Sequence, residues 1–202
     1  IDLGGGFPSA NTLRGSFLPG TDNVPSVDEF AEAITKSLLQ IGFGADEMPL
    51  LILESGRVLI DDAGYLLASV IANKRLSDGR RATILDAGVN LLFTSFWYDH
   101  KISPAQDFTQ HSEDMVLYGP LCMNIDVIRQ SINLPILNRG DKVVVHKVGA
   151  YNMTQWMQFI QMRPNVILID EQGQTHLVRA AEDLQYIEQP EHIPEHLKPI
   201  DL

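Results

Sequence analysis

Residues 49–57, PLLILESGR, decide how the first third of this chain is read. Pro49 to Leu53 is a short, wholly apolar run, the pattern of a strand buried on both faces of a parallel sheet. It passes into a polar loop, Glu54-Ser55-Gly56-Arg57. Working back, Ile1 to Leu3 reads as the end of an earlier strand, Gly4, Gly5 and Gly6 as its loop, and Val27 to Ile41 as an amphipathic helix. Phe30, Ile34, Leu38 and Ile41 recur at helical spacing, Ser26 or Asp28 can cap the start, and Gly42 can stop the end. Strand, glycine loop, helix, strand and polar loop are the grammar of an α/β barrel or a doubly wound sheet. Functional loops of such folds gather at the carboxyl ends of the strands, where both GGG and ESGR fall.

Three bare residues in a row let a ligand lie against peptide N–H groups, and phosphate is the first candidate. A tight strand-to-helix connection would explain the glycines equally well. Arg57 shifts the balance, because a guanidinium at the neighbouring strand end supplies charge that backbone N–H groups lack. Glu54, three residues earlier, suits a ring nitrogen that must stay protonated, or else an ordinary salt bridge to Arg57.

Beyond about Lys74 the texture changes. RATILDAG, LLFTSFWY, DMVLYG, DKVVVHKVG and VILID are short runs rich in Val, Ile, Leu and aromatics, punctuated by Asp-Gly, Pro and Gly. They predict a mostly antiparallel β domain. Asp126 to Ser131 and Asn152 to Phe159 are expected as short helices within it. One last helix after Glu182 leads to a charged, proline-rich surface tail, EQPEHIPEHLKPIDL. No internal repeat is visible.

The chain has 202 residues, 45% of them apolar, enough for a real core. It lacks a run of about eighteen apolar residues, and its start has no basic and apolar leader, so a cytoplasmic protein is expected. The formal charge of -11 argues against general affinity for nucleic acid or anionic membrane. Ile1 opens the chain inside what reads as a strand, so a missing upstream segment is expected.

Several downstream residues could carry chemistry. Cys122, the single cysteine, follows a Gly-Pro turn in YGPLCMNID, where a thiol could act as an acid; a buried small residue is the alternative. Tyr151 follows Gly149-Ala150 at a strand end, where a phenol can reach an anion or simply surface from the core. Asp99 and His100 in FWYDHKI are a polar pair or a solvated edge. His192 and His196 are four apart, but Pro194 breaks the helix that would align them, and no metal is assigned.

Taken in order, IDLGGGFP, LESGRVLIDDAGYLLASV, ILDAGVN, FWYDH, GPLCMNID, LPILNRGDKVVVHKVGAYN and FIQMRP resemble the fold-type III pyridoxal-phosphate decarboxylases that include diaminopimelate, ornithine and arginine decarboxylases. The resemblance covers about nine tenths of the chain. It implies an α/β plus β architecture: the last βα units of a β/α (TIM-like) barrel in residues 1–74, and a mostly antiparallel C-terminal β domain with short helices and a tail in residues 75–202. It also implies a homodimer with active sites at the interface and an amino-acid-derived substrate. Carried over by position, Gly4, Gly5, Gly6, Arg57 and Tyr151 would bind the phosphate of pyridoxal 5'-phosphate, and Glu54 would face its ring nitrogen. Arg57 could instead meet the substrate carboxylate. Cys122 resembles the cysteine that reaches in from the other subunit and protonates the reacting carbon. Asp99 lies where the family contacts the distal end of the substrate.

The departures narrow the substrate. Ser55 stands where the family usually has Pro. Met123 replaces an acidic residue that contacts a distal ammonium, which a thioether cannot neutralise; a simple diamino acid is therefore not expected as substrate. Ile160 replaces a familiar asparagine. The family's Schiff-base lysine lies far upstream of GGG, and none of Lys36, Lys74, Lys101, Lys142, Lys147 and Lys198 matches it. A full barrel needs ~250 residues, so this chain has room for only its last two strands and is not expected to catalyse alone. Two alternatives stand beside an amino-acid decarboxylase: a degenerate homologue that binds or regulates, and a related amino-acid racemase.

Overall fold

A computed structural model describes residues 1–16 and 24–198. Pro199 to Leu202, the end of the expected tail, lie outside the described residues. The chain divides into two units, Ile1–Trp156 and Met157–Leu202.

In the first unit, the expected helix α1 occupies Val27–Ile41. Ser26 starts it with a capping box: its hydroxyl accepts from Glu29 N, and the Glu29 carboxylate accepts from Ser26 N at 2.7 Å. Such a cap is worth about 1 kcal/mol. Gly42 ends the helix in the left-handed region at φ 77°. The two expected strands pair in parallel through Asp2 and Ile52. Their apolar side chains are not buried on both faces as expected. Leu50, Ile52 and Leu53 are 77%, 46% and 41% exposed, because the described residues pair them along one edge and pack neither face.

After the short helix α2 at Arg57–Ile60 comes a six-stranded mixed sheet. Strands β1 (Thr12–Leu13) and β4 (Tyr98–Asp99) form a separate antiparallel pair. The large sheet is built from β2 (Tyr65–Arg75), β3 (Arg81–Leu85), β5 (Ile102–Pro104), β6 (Ser112–Tyr118), β7 (Val127–Pro135) and β8 (Lys142–His146). Their spatial order is β5-β8-β2-β3-β6-β7. Only β3 and β6 run parallel; every other neighbouring pair in this sheet is antiparallel. Its core is aliphatic, with Leu85, Met115, Leu117, Leu137, Val143 and Val145 fully buried. The change of texture read near Lys74 falls inside β2, so the sheet begins earlier, at Tyr65.

Three local expectations are corrected. Asp126 to Ser131 is not a helix: β7 starts at Val127 and pairs antiparallel with β6, burying Ile128 and Leu134 and leaving Gln130, Ser131 and Asn133 exposed. LLFTSFWY is not one strand. Phe93–Phe96 makes a 3₁₀ turn before β4, which lets the Phe93 ring meet Phe96 and Trp97 edge-on. Asn152–Thr154 is likewise only a 3₁₀ turn, shorter than the expected helix.

The second unit holds an antiparallel hairpin, β9 (Val166–Ile169) with β10 (Thr175–Arg179), and helix α3 at Leu184–Glu188. Glu182 ties it together, accepting from Arg163 N at 3.0 Å and from the Arg163 guanidinium. That guanidinium holds the carboxyl down at about 2. Ile160 stands at φ 66°, an uncomfortable conformation for a β-branched residue.

Candidate functional site

The glycine loop and the ESGR loop are stitched together by parallel backbone bonds. Leu3 N donates to Ile52 O at 3.1 Å, Ile52 N to Ile1 O at 2.9 Å, and Glu54 N to Gly4 O at 2.8 Å. The register explains the bare sequence. Gly4 and Gly6 have φ of 69° and 83°, and a Cβ on Gly5 would lie 2.6 Å from the Glu54 carbonyl oxygen. Glu54 is exposed, and among the described residues no ion pair joins it to Arg57.

Arg57 opens α2 and turns inward; its side chain is only 11% exposed. The guanidinium carbon lies 4.5 Å from the centre of the Tyr98 ring, 4.9 Å from Tyr151 and 6.0 Å from Trp97. Its carboxylate neighbour is Asp61, one helical turn on, with Oδ2 at 3.8 Å from Nη1. That is too long for a hydrogen bond, and Nη1 is buried with no hydrogen-bond partner. A buried charged donor left unpaired costs upward of about 1–3 kcal/mol, a debt that an anionic ligand removes. The three rings, with the aromatic faces drawing the cation, keep the fork in place.

Tyr151 reaches the same place from the other direction. It stands at φ 67°, and its hydroxyl lies 3.9 Å from where a Cβ on Gly56 would be. Non-glycine residues at positive φ persist where surrounding structure enforces them. Here the enforcement is Asn152, whose amide donates to Val148 O at 3.0 Å and whose Oδ1 accepts from Thr94 N and Thr94 Oγ1 at 3.1 and 2.9 Å. Thr94 Oγ1 lies 2.7 Å from His100 Nε2. Since the Thr94 hydroxyl spends its proton on Asn152, this network assigns the proton between them to His100 Nε2. His100 is therefore not a solvated edge. It is 2% exposed, and burial pushes its pKa down to about 4, so the ring is neutral at pH 7.

Asp99 is only partly buried, and its Oδ1 stands 3.5 Å from Arg129 Nε. Cys122 is exposed, so the buried alternative for the thiol falls. Met123 beside it is half-buried. Their loop is pinned by Asp126, a buried carboxylate that accepts from Val89 N and Leu121 N at 2.8 Å each. Gly88 and Gly119 make the room: a Cβ on either would come within 2.4 Å of an Asp126 carboxylate oxygen.

The structure thus brings Gly5, Glu54, Gly56, Arg57 and Tyr151 into one contiguous set. Among the described residues, no hydrogen bond or ion pair joins Cys122 to it. The sequence reading missed the supports Asp61, Asp126, Asn152 and Thr94. Their signal was available only for Asp61 and Asn152, an acid and an amide near glycines in DDAG and GAYN. Among the described residues, no helix is long and apolar enough to cross a membrane, and no three His, Cys, Asp or Glu side chains cluster for a metal.

Residues 57–149 match the model of a known family domain, the C-terminal sheet domain of pyridoxal-dependent decarboxylase. The diaminopimelate decarboxylase of Methanothermobacter thermautotrophicus is 30% identical over 98% of this chain and 45% of its own. The lysine/ornithine decarboxylase of Selenomonas ruminantium is 30% identical over 85% of this chain and 41% of its own. The crystal structure of diaminopimelate decarboxylase from M. jannaschii superposes with a TM-score of 0.82 at 28% identity, covering 98% of this chain and 44% of that one. The chain spans less than half the length of these relatives.

Proposed function

Since this chain belongs to the fold-type III pyridoxal-dependent decarboxylases, we propose that it is the C-terminal part of an enzyme that removes the α-carboxylate of a basic L-amino acid or a derivative of one. The first residues, in this proposal, are the last strands of a cofactor-binding β/α barrel. The exposed apolar strand Leu50–Leu53 and the unburied helix α1 support it, because both have the composition of covered elements. The barrel part ends nearer Gly64 than Lys74, since Tyr65–Arg75 is a strand of the sheet.

The residues present fit the cofactor. The observation that carries the proposal is the buried, unpartnered Nη1 of Arg57. Arg57, the N–H groups of Gly4 to Gly6 and the Tyr151 hydroxyl would hold the phosphate of pyridoxal 5'-phosphate. Glu54 would keep a proton on the ring nitrogen. When bound, the cofactor supplies a sink for the electron pair left on the α-carbon as carbon dioxide departs. Cys122, presented at the surface, would then deliver a proton to that carbon in the active site of a second copy, making the working unit a homodimer with sites at its interface. Carbon dioxide leaves and one proton is taken up, so the product is an amine.

Two features support a substrate whose distal end differs from that of the simple diamino acids. Met123 offers a thioether where an ammonium would need an acid, and the Asp99 carboxylate already faces Arg129. An acylated or otherwise uncharged distal end suits this surface better. The test is carbon dioxide release by the full-length protein, supplied with pyridoxal phosphate, across lysine, ornithine, arginine, diaminopimelate and their distally acylated derivatives. Release is expected to be fastest with an acylated substrate. No release from any of them would defeat the decarboxylase assignment, and D-amino acid formed without carbon dioxide would make the enzyme a racemase.

A further inference from the structure

Asp61 is a carboxylate 1% exposed in the middle of the arrangement just described, and no step assigned so far uses it. Its oxygens gather three separate segments. Oδ2 accepts from Asn11 Nδ2 at 2.7 Å and from Ser9 Oγ, both just downstream of the glycine loop. Oδ1 accepts from Ala150 N at 3.2 Å, next to Tyr151, while the Asp61 backbone carbonyl accepts from Gly149 N at 3.1 Å. Arg57 lies on the remaining side at 3.8 Å. The distance matters. With Oδ2 occupied by Ser9 and Asn11, the carboxylate draws the guanidinium by charge without taking its hydrogens, so the fork is held but stays free for a ligand.

We infer that Asp61 is the positioning residue of the anion site, setting Arg57, the Tyr151 loop and the segment after the glycines around one buried charge. This rests on the reading of Arg57 as a phosphate-binding group. Asp61 itself repels an anion, so positioning and plain electrostatics predict opposite signs: loss of the charge should weaken phosphate binding if Asp61 positions, and strengthen it if Asp61 is only a neighbouring negative charge.

The experiment titrates the full-length protein with pyridoxal 5'-phosphate and, separately, with pyridoxal, which lacks the phosphate. The readout is the preference for the phosphorylated form, which a general loss of folding would leave unchanged. Asp61→Ala is expected to cut that preference about tenfold or more, the scale of one charged hydrogen bond. Asp61→Asn, which keeps the shape and the acceptor for Ala150 N but turns an amide NH2 toward Ser9 and Asn11, should fall between Ala and the parent. In an Arg57→Ala background, Asp61→Asn should change the preference no further. An unchanged or raised preference in Asp61→Asn, with Arg57→Ala still lowering it, would overturn the role of Asp61 alone. No effect of Arg57→Ala would remove the phosphate reading and this inference together.

Discussion

Gly149 lies directly against Ile60: a Cβ on Gly149 would stand 1.9 Å from the Ile60 carbonyl oxygen. Opposite, a Cβ on Gly64 would stand 2.2 Å from Gly149 N, and Val148 N donates to Gly64 O at 3.0 Å. Two backbones in contact are what bring Tyr151 to Arg57. Gly149→Ala must part them, and is expected to destabilise the protein by about 2–3 kcal/mol, the usual cost of overpacking. Urea unfolding measures this, and a loss under about 0.5 kcal/mol would mean the two segments separate freely.

Arg57→Ala in the full-length protein is expected to weaken pyridoxal-phosphate affinity about tenfold to a hundredfold, the worth of one or two charged hydrogen bonds. Arg57→Lys should recover only part, because a point charge keeps the attraction and loses the paired fork. Equilibrium titration of the three proteins decides; equal affinities would assign Arg57 to the fold or to the substrate carboxylate.

Cys122→Ala should slow turnover or alter the product ratio in the full-length enzyme while leaving cofactor affinity within about threefold. The substitution leaves the loop in place, since Asp126 pins it through Val89 N and Leu121 N without help from the thiol. Steady-state kinetics with product analysis is the measurement. Unchanged rate and products would make Cys122 a bystander.

His100 gives stability an acid limb. Its folded pKa of about 4 lies below the ordinary 6.5, so between these values the unfolded chain binds more protons than the folded one. Its contribution is therefore fully present above 6.5 and drains away as pH falls toward 4, by roughly 3 kcal/mol in all. His100→Gln should lose stability at pH 7 but flatten the slope between pH 6.5 and 4 in urea titrations. The Glu182 carboxyl, at about 2, acts in a separate window: its stabilisation is present above 4.5 and lost as pH falls through 2. An unchanged slope in His100→Gln would place the acid limb elsewhere.

What the sequence disclosed was periodic or local. The helix at Val27–Ile41 was legible to the residue because apolar spacing, cap and stop all agreed. The pairing of the GGG and ESGR loops was legible because each followed a short apolar run. The stretch from Asp126 misled because Asp-Val-Ile-Arg begins like a capped helix, and only pairing to β6 settles it as strand. Asp61 and Asn152 were illegible as supports for the opposite reason: Asp61 accepts from Ala150 N across 89 residues of sequence and Asn152 from Thr94 N across 58. A buried polar residue is recognised by what surrounds it, and a linear reading does not carry that. Asp61 even hid behind Asp62, which is exposed and salt-bridged to Lys147 at 3.4 Å.

The ring of Trp97 against the Arg57 guanidinium also gives the protein an optical probe of its own. The sequence contains two tryptophans. Trp156 packs on the core with its Nε1–H fixed to Leu91 O, whereas Trp97 is 40% exposed beside the charge that a ligand would neutralise. Emission from Trp97 should respond to occupancy of the fork, and emission from Trp156 should report the integrity of the sheet. With one or the other replaced by phenylalanine, binding and unfolding become separately visible by fluorescence, with no label attached.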